Sequence, residues 1–216
     1  MVLLDKCYPI SVRLCGKKCL VIGGGRVAER KIISLLECSA RVTVVSPELT
    51  ERLENLVAAG HLVYRQGEYD TDDLQGVFLV IGATNSDQVN QKVAKDCFER
   101  NILVNVVDDP LSGNFFVPAQ VRRGSLSIAV STDGKSPMFA RRIREELEGL
   151  YPPEYSELVE LVGELRSKVI NEIADEQQKA QILKQMADGD LMQLLREGQY
   201  DRAKELVKDA YYRSRG

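Results

Sequence analysis

Gly23, Gly24 and Gly25 interrupt a short apolar run, Leu20-Val21-Ile22, and Arg26-Val27-Ala28 resumes at helical spacing. Glycines in that position turn a buried strand into a helix whose first N–H groups lack intrahelical partners and face outward, a setting for an anion. With Ala28 in place of the third glycine the run fits a dinucleotide fingerprint. Gly23 allows the tight turn, Gly25 lets the backbone approach a pyrophosphate, and Ala28 keeps the helix close to the strand. Gly23, Gly24, Gly25, Arg26 and Val27 are therefore the expected cofactor loop.

A second strand at the right distance supports this. Ile32, Leu35 and Leu36 continue an amphipathic helix, and Arg41-Val42-Thr43-Val44-Val45 follows as the next strand of a compact βαβ unit. The strand closes on Ser46-Pro47-Glu48 where an acidic residue would hold the ribose hydroxyls. Glu48 either does that from the loop or caps the following helix. No Arg immediately follows the strand, so NAD is favoured over NADP.

Further along the chain, Phe78 to Ala83 and Ile102 to Val107 read as buried strands, with a helix over 86–100 between them, so about 110 residues form a doubly wound parallel sheet. Ligands bind beyond the carboxyl ends of such strands. That rule gathers Gly23–Val27, Ser46-Pro47-Glu48, Ala83-Thr84-Asn85 and Asp108 around one crevice.

The pattern changes at Phe115. Phe115 to Val117, then Gln120-Val121-Arg122, a turn at 123–125 and Leu126 to Ser131 read as a hairpin. Its alternating Leu126, Ile128 and Val130 need a partner outside the parallel sheet, and a second subunit would serve. Ser136-Pro137 reads as the cap and first residue of a helix to about Leu150, with Met138, Ile143 and Leu147 inward, stopped by Tyr151-Pro152-Pro153. The remainder is helical, with apolar stripes at Leu158, Leu161, Val162, Leu165 and Val169, at Leu191, Leu194 and Leu195, and at Leu206, Val207 and Ala210.

A chain of 216 residues with net charge −3 and interspersed charges gives no reason to expect nucleic-acid affinity. No apolar stretch is long enough for a membrane span, and no signal-peptide order opens the sequence, so a cytoplasmic location without membrane contact is expected. Cys7, Cys15, Cys19, Cys38 and Cys97 are scattered and odd in number, which reads as reduced core thiols without a metal site. His61, the sole histidine, sits in a turn and has no expected catalytic role.

Four blocks together resemble one family, the precorrin-2 dehydrogenases of sirohaem biosynthesis in their stand-alone form and as the amino-terminal half of sirohaem synthases. The blocks are Val21 to Lys31, Ala83-Thr84-Asn85 with Val89-Asn90, Asn105-Val106-Val107-Asp108, and Ser131 to Pro137 with Ala140-Arg141. The resemblance implies an α/β fold: a Rossmann-like NAD-binding domain (1–113), a small α+β dimerisation segment (114–150) and a helical domain (151–216) that helps cover a tetrapyrrole. It implies a homodimer, and a reaction in which precorrin-2 passes a hydride to NAD and a proton to Asp108, the family's matching acid.

Asp108 would follow a buried strand, where partial desolvation suits a proton acceptor. The alternative is a loop cap before Pro110, with Asp109 as the neighbouring rival. A polycarboxylate substrate needs polar and cationic groups. Asn105, Ser131, Thr132, Lys135, Ser136 and Arg141 are the expected contacts, although Arg122, Arg123, Lys135, Arg141 and Arg142 each suit a solvated face equally, and Ser136 suits a helix cap. Some relatives also insert iron, so ferrochelatase is an alternative second activity. A non-catalytic nucleotide-sensing module is another, but it leaves the Asn105–Asp108 and Ser131–Pro137 blocks without a purpose.

Overall fold

The computed structural model describes residues 6–187 and 189–212, so the outermost ends of the first and third expected domains lie outside the described residues. The chain divides into two compact units, Met1–Val117 and Pro118–Gly216. The hairpin segment falls in the second unit with the C-terminal helices.

The first unit runs β1 (Lys18–Ile22), α1 (Arg26–Glu37), β2 (Arg41–Ser46), α2 (Glu51–Ala58), β3 (Val63–Gln66), β4 (Leu79–Gly82), α3 (Asp87–Glu99) and β5 (Leu103–Val106). All five strands are parallel, in the order β3-β2-β1-β4-β5. The chain therefore winds outward from β1 to β3 and returns to β4, which puts the switch point between β1 and β4. Strands buried on both faces need apolar side chains at every position, and successive residues supply two cores. Cys19 and Val21 pack with Ala28, Ile32 and Leu35 of α1 and Leu53 of α2. Leu20 and Ile22 pack with Val93, Ala94 and Cys97 of α3.

Cys19 and Cys97 are core thiols; burial pushes the first up to about 11 and the second up to about 12. Cys7 and Cys15, expected in the core, are exposed, and Cys38 is half-buried.

The second unit holds an antiparallel hairpin, β6 (Ala119–Arg123) and β7 (Leu126–Val130), then α4 (Pro137–Leu150), α5 (Tyr155–Glu172), α6 (Glu176–Gln185), α7 (Gly189–Arg196) and α8 (Tyr200–Tyr212). Phe115 to Val117 joins no strand; the ladder begins at Ala119. Val121 is fully buried, α4 packs on the hairpin, and Leu126 packs against the helical core. Part of the face expected to await a second subunit is thus covered within the chain, while Ile128 and Val130 stay half-buried. Met138, expected inward, is 84% exposed. The buried residue of that turn is Ala140, and a residue two positions away on a helix points roughly to the opposite side. Leu158, Leu165, Val169, Ile182, Met186, Leu191, Leu195, Ala203 and Val207 form the helical core.

Candidate active site

The hydrogen-bond ladder continues one residue past the strands and fixes the carboxyl edge. Gly23 N–H donates to Val45 O (2.8 Å), Ala83 N–H to Ile22 O (2.8 Å) and Val107 N–H to Gly82 O (2.9 Å). The three expected loops are therefore tied to one another by backbone.

Each glycine of the triplet does something different. Gly23 has φ +115°, and a Cβ there would lie 2.3 Å from Ala83 O. A Cβ on Gly24 would lie 2.1 Å from Glu48 O and 2.9 Å from the Ser46 hydroxyl oxygen, so this glycine seats the first loop on the second. A Cβ on Gly25 would meet nothing within 4 Å. Gly25 caps α1 with extended backbone and no side-chain hydrogen bond, so the first N–H groups of α1, at Arg26, Val27 and Ala28, receive no capping side chain. Gly25 and Arg26 are exposed, Val27 is half-buried and Ala28 fully buried. An open cradle beside a free helix start fits the pyrophosphate of a dinucleotide.

Ser46 is buried at the end of β2. Its carbonyl accepts from Tyr64 Oη (3.0 Å), and Pro47 O accepts from Gln66 Nε2 (3.2 Å), which anchors the loop to β3. Glu48 is exposed and does not cap α2. Thr50 does, its hydroxyl accepting from Leu53 N–H at 3.4 Å.

The third loop depends on Asn90, which stands out in the sequence only as part of a block. Its side chain is 6% exposed. The amide donates to Thr84 O (3.0 Å), and its oxygen accepts from Thr84 Oγ1 (3.0 Å) and Thr84 N–H (3.4 Å). One buried amide thus fixes Thr84 by both main chain and hydroxyl. Ala83 and Thr84 stay half-buried and Asn85 exposed.

Asp108 follows β5 by two residues with φ +62°. That left-handed conformation is uncommon outside glycine and best tolerated by Asp and Asn. The side chain is exposed, so the expected desolvation is absent in the chain itself. Among the described residues no hydrogen bond holds its carboxylate. The capping role weighed for Asp108 falls to Asp109, whose Oδ2 accepts from Ser112 Oγ at 2.5 Å and closes the turn over 110–112. Lys31 on α1 interacts electrostatically with Asp108. Burial and the Arg30 charge pull the Lys31 ammonium down from its ordinary value, against the opposing pull of Asp108.

Asn105, expected at the substrate, is 9% exposed, and its amide donates to Phe115 O (3.1 Å). Asn114, which sequence reasoning missed, imitates a strand residue. Its Oδ1 accepts from Val104 N–H (2.8 Å), its Nδ2 donates to Ile102 O (2.9 Å), and its own N–H donates to Val104 O (2.9 Å). The segment after Asp108 is thereby laid along the outer edge of β5.

The other expected contacts lie in the second unit. Ser131 Oγ accepts from Asp133 N–H (3.1 Å) and Thr132 Oγ1 from Ser136 N–H (3.0 Å). Ser136 caps α4 by accepting from Phe139 N–H (3.3 Å). These hydroxyls shape the loop and keep a proton to donate. Lys135 is exposed, and Arg141 pairs with Glu145 at 2.9 Å on the solvated face of α4. Arg123 instead donates from Nε to Tyr151 O at 2.7 Å.

Residues 10–119 match the family described as "Putative NAD(P)-binding", and residues 123–150 match "Sirohaem biosynthesis protein central". A siroheme synthase of Photorhabdus laumondii is 37% identical over 200 residues, 93% of this chain and 43% of that protein. Siroheme synthase 3 of Aeromonas hydrophila is 41% identical over 161 residues, 74% of this chain and 34% of that protein. The chain thus spans less than half the length of these relatives. A solved structure, "SirC, precorrin-2 dehydrogenase", superposes with a TM-score of 0.77 at 30% identity, covering 92% of this chain and 99% of that one. These matches over both units accordingly place this chain in the precorrin-2 dehydrogenase and siroheme synthase family.

Proposed function

We propose that this chain oxidises precorrin-2 to sirohydrochlorin with NAD, Asp108 accepting the proton. Bound NAD supplies the hydride acceptor. Gly23–Val27 would hold its pyrophosphate, Ser46–Glu48 its ribose, and Ala83–Asn85 would form the adjoining edge of the crevice. The Asp108 carboxylate takes the proton that leaves the substrate as its new double bond forms, and the hydride that leaves with the other C–H electron pair would go to bound NAD. The observation that carries the acid's assignment is the contrast between neighbours. Asp109 is tied to Ser112, whereas the Asp108 carboxylate stands exposed at the sheet's carboxyl edge.

The test is an anaerobic assay with precorrin-2 that follows NADH. Asp108→Asn keeps the side-chain shape but removes the proton acceptor and should lower turnover on the order of 10²-fold or more, whereas Asp109→Asn should matter much less. If Asp108→Asn turns over normally, Asp108 is not the proton acceptor. Adding Co²⁺ or Fe²⁺ to the product in the same cuvette reads whether metal insertion is a second activity. Ser131, Thr132, Lys135, Ser136 and Arg141 remain the proposed binding set for the substrate carboxylates, and Asn105 a residue that holds the acid's loop.

The chain acts as a cytoplasmic homodimer in this reading, supported by the half-buried Ile128 and Val130 and the exposed Met138 and Phe139 of the second unit. Light scattering should show a dimer; a fully active monomer at micromolar concentration refutes it.

A further inference from the structure

Between the first turns of α1 and α2 lies an open hollow of about 540 Å³, lined by Arg26, Glu29, Arg30, Thr50, Glu51 and Arg52. It adjoins the glycine turn directly: Glu29 N–H donates to Gly25 O (2.9 Å) and Thr50 N–H to Gly24 O (3.0 Å). Three guanidinium groups against two carboxylates would favour an anion. One carboxylate, however, is built into the wall. The Glu29 side chain is only 17% exposed; its Oε2 accepts from Thr50 Oγ1 at 2.6 Å, and its Oε1 lies 3.6 Å from Nη1 of Arg52, which is 66% exposed. Glu51, by contrast, sits exposed in the first turn of α2.

Dinucleotide folds select an unmodified adenosine ribose with an acidic residue, usually at the end of the second strand, and a 2′-phosphate with an arginine nearby. Here that strand ends in Ser46, and of the three arginines that line the hollow Arg52 is the one that Glu29 engages. The 2′-position is one ribose away from the pyrophosphate, so a hollow whose lining residues Glu29 and Thr50 are hydrogen-bonded to Gly25 and Gly24 of the phosphate turn is where a 2′-phosphate would come. We propose that Glu29 sets coenzyme choice, holding Arg52 and presenting negative charge to this hollow so that NAD is accepted and a 2′-phosphorylated dinucleotide is disfavoured. This rests on the reading of the glycine turn as the pyrophosphate site.

The test is calorimetric titration of the whole chain with NAD⁺ and with NADP⁺, without tetrapyrrole. Glu29→Gln removes the charge but leaves an oxygen for Thr50 Oγ1, and the ratio of NADP⁺ to NAD⁺ affinity should rise about tenfold or more. Glu29→Asp keeps the charge and should leave the ratio on the side of NAD⁺, and adding Arg52→Gln to Glu29→Gln should bring the ratio back down. A thermal melt of each variant controls for folding. An unaltered ratio in a folded Glu29→Gln variant that binds NAD⁺ overturns the proposal alone. A rise that survives the loss of Arg52 overturns the part given to that arginine. Wild-type protein that binds neither dinucleotide overturns the pyrophosphate reading, and this proposal with it.

Discussion

Alanine at each glycine of the triplet should separate folding from cofactor binding. At Gly25 the backbone is extended (φ −83°, ψ −176°) and the added methyl meets nothing within 4 Å, so Gly25→Ala should stay within about 1 kcal/mol of wild-type stability. The same methyl fills the approach that a pyrophosphate oxygen needs to reach the first N–H groups of α1. Losing one hydrogen bond to a charged group costs about 2 kcal/mol, or roughly thirtyfold in NAD affinity. At Gly24 the methyl would lie 2.1 Å from Glu48 O, a main-chain atom that moves only with the Ser46–Glu48 loop. Overpacking of that kind costs about 3 kcal/mol. Gly23→Ala adds left-handed strain at φ +115° to a contact of 2.3 Å with Ala83 O, for a total of roughly 3–5 kcal/mol. In a unit of this size 3 kcal/mol corresponds to roughly 10–15 °C in Tm. Thermal melts and NAD titrations of the three variants give the pattern. A folded Gly25→Ala variant that binds NAD as wild type does would refute the cradle, and a Gly24→Ala variant with unchanged Tm would refute the close seating of the two loops.

Asn90→Leu should remove three hydrogen bonds to Thr84 at once, leaving its hydroxyl only the backbone of Ser86, costing roughly 1–3 kcal/mol for each group left unpaired and weakening NAD binding more than the melt alone implies. A variant with wild-type NAD affinity would free the third loop from this amide. Lys31 gives a pH signature. Its ammonium is held below the ordinary lysine value, so the folded state carries a cost at neutral pH that is relieved as pH rises from the lowered value toward 10.5, where the unfolded chain binds more protons. Denaturant titrations of wild type and Lys31→Met should show the wild type gaining on the variant across that alkaline window; a constant difference would refute it.

The parallel sheet is legible in the sequence because strands buried on both faces must be apolar at successive positions, as Leu20-Val21-Ile22 and Leu79-Val80-Ile81 are, and because three glycines between a strand and a helix mark a backbone that something must approach closely. Gly24 fits that pattern, but the reason for it is a carbonyl more than twenty residues away. Asn90, Asn105 and Asn114 likewise serve backbone outside their own helix, turn or strand, between 6 and 12 residues away. An amide that satisfies distant backbone leaves no periodic trace in its own neighbourhood. Thr50, as helix cap, is readable from the Leu53 that follows at cap spacing, yet Glu48 competes with it in the sequence because only Glu48 carries the charge that a ribose partner needs. Phe115 to Val117 has the composition of a strand, but the segment from Asn114 onward is held to β5 by side-chain amides, and the ladder starts beyond Pro118.

The strip laid along β5 by Asn105 and Asn114 has a consequence for solubility. β5 is the outermost strand on its side of the sheet, and an uncovered outer strand offers its backbone to other molecules. The residues that close it are the continuation of the Asp108 loop, so peeling that loop back would expose Ile102 O and Val104 N–H to a neighbouring chain. The placement of Asp108 and the protection against intermolecular strand pairing are thus served by the same stretch of chain. Trimming the loop to speed substrate entry would be expected to raise the tendency to aggregate along with any change in turnover.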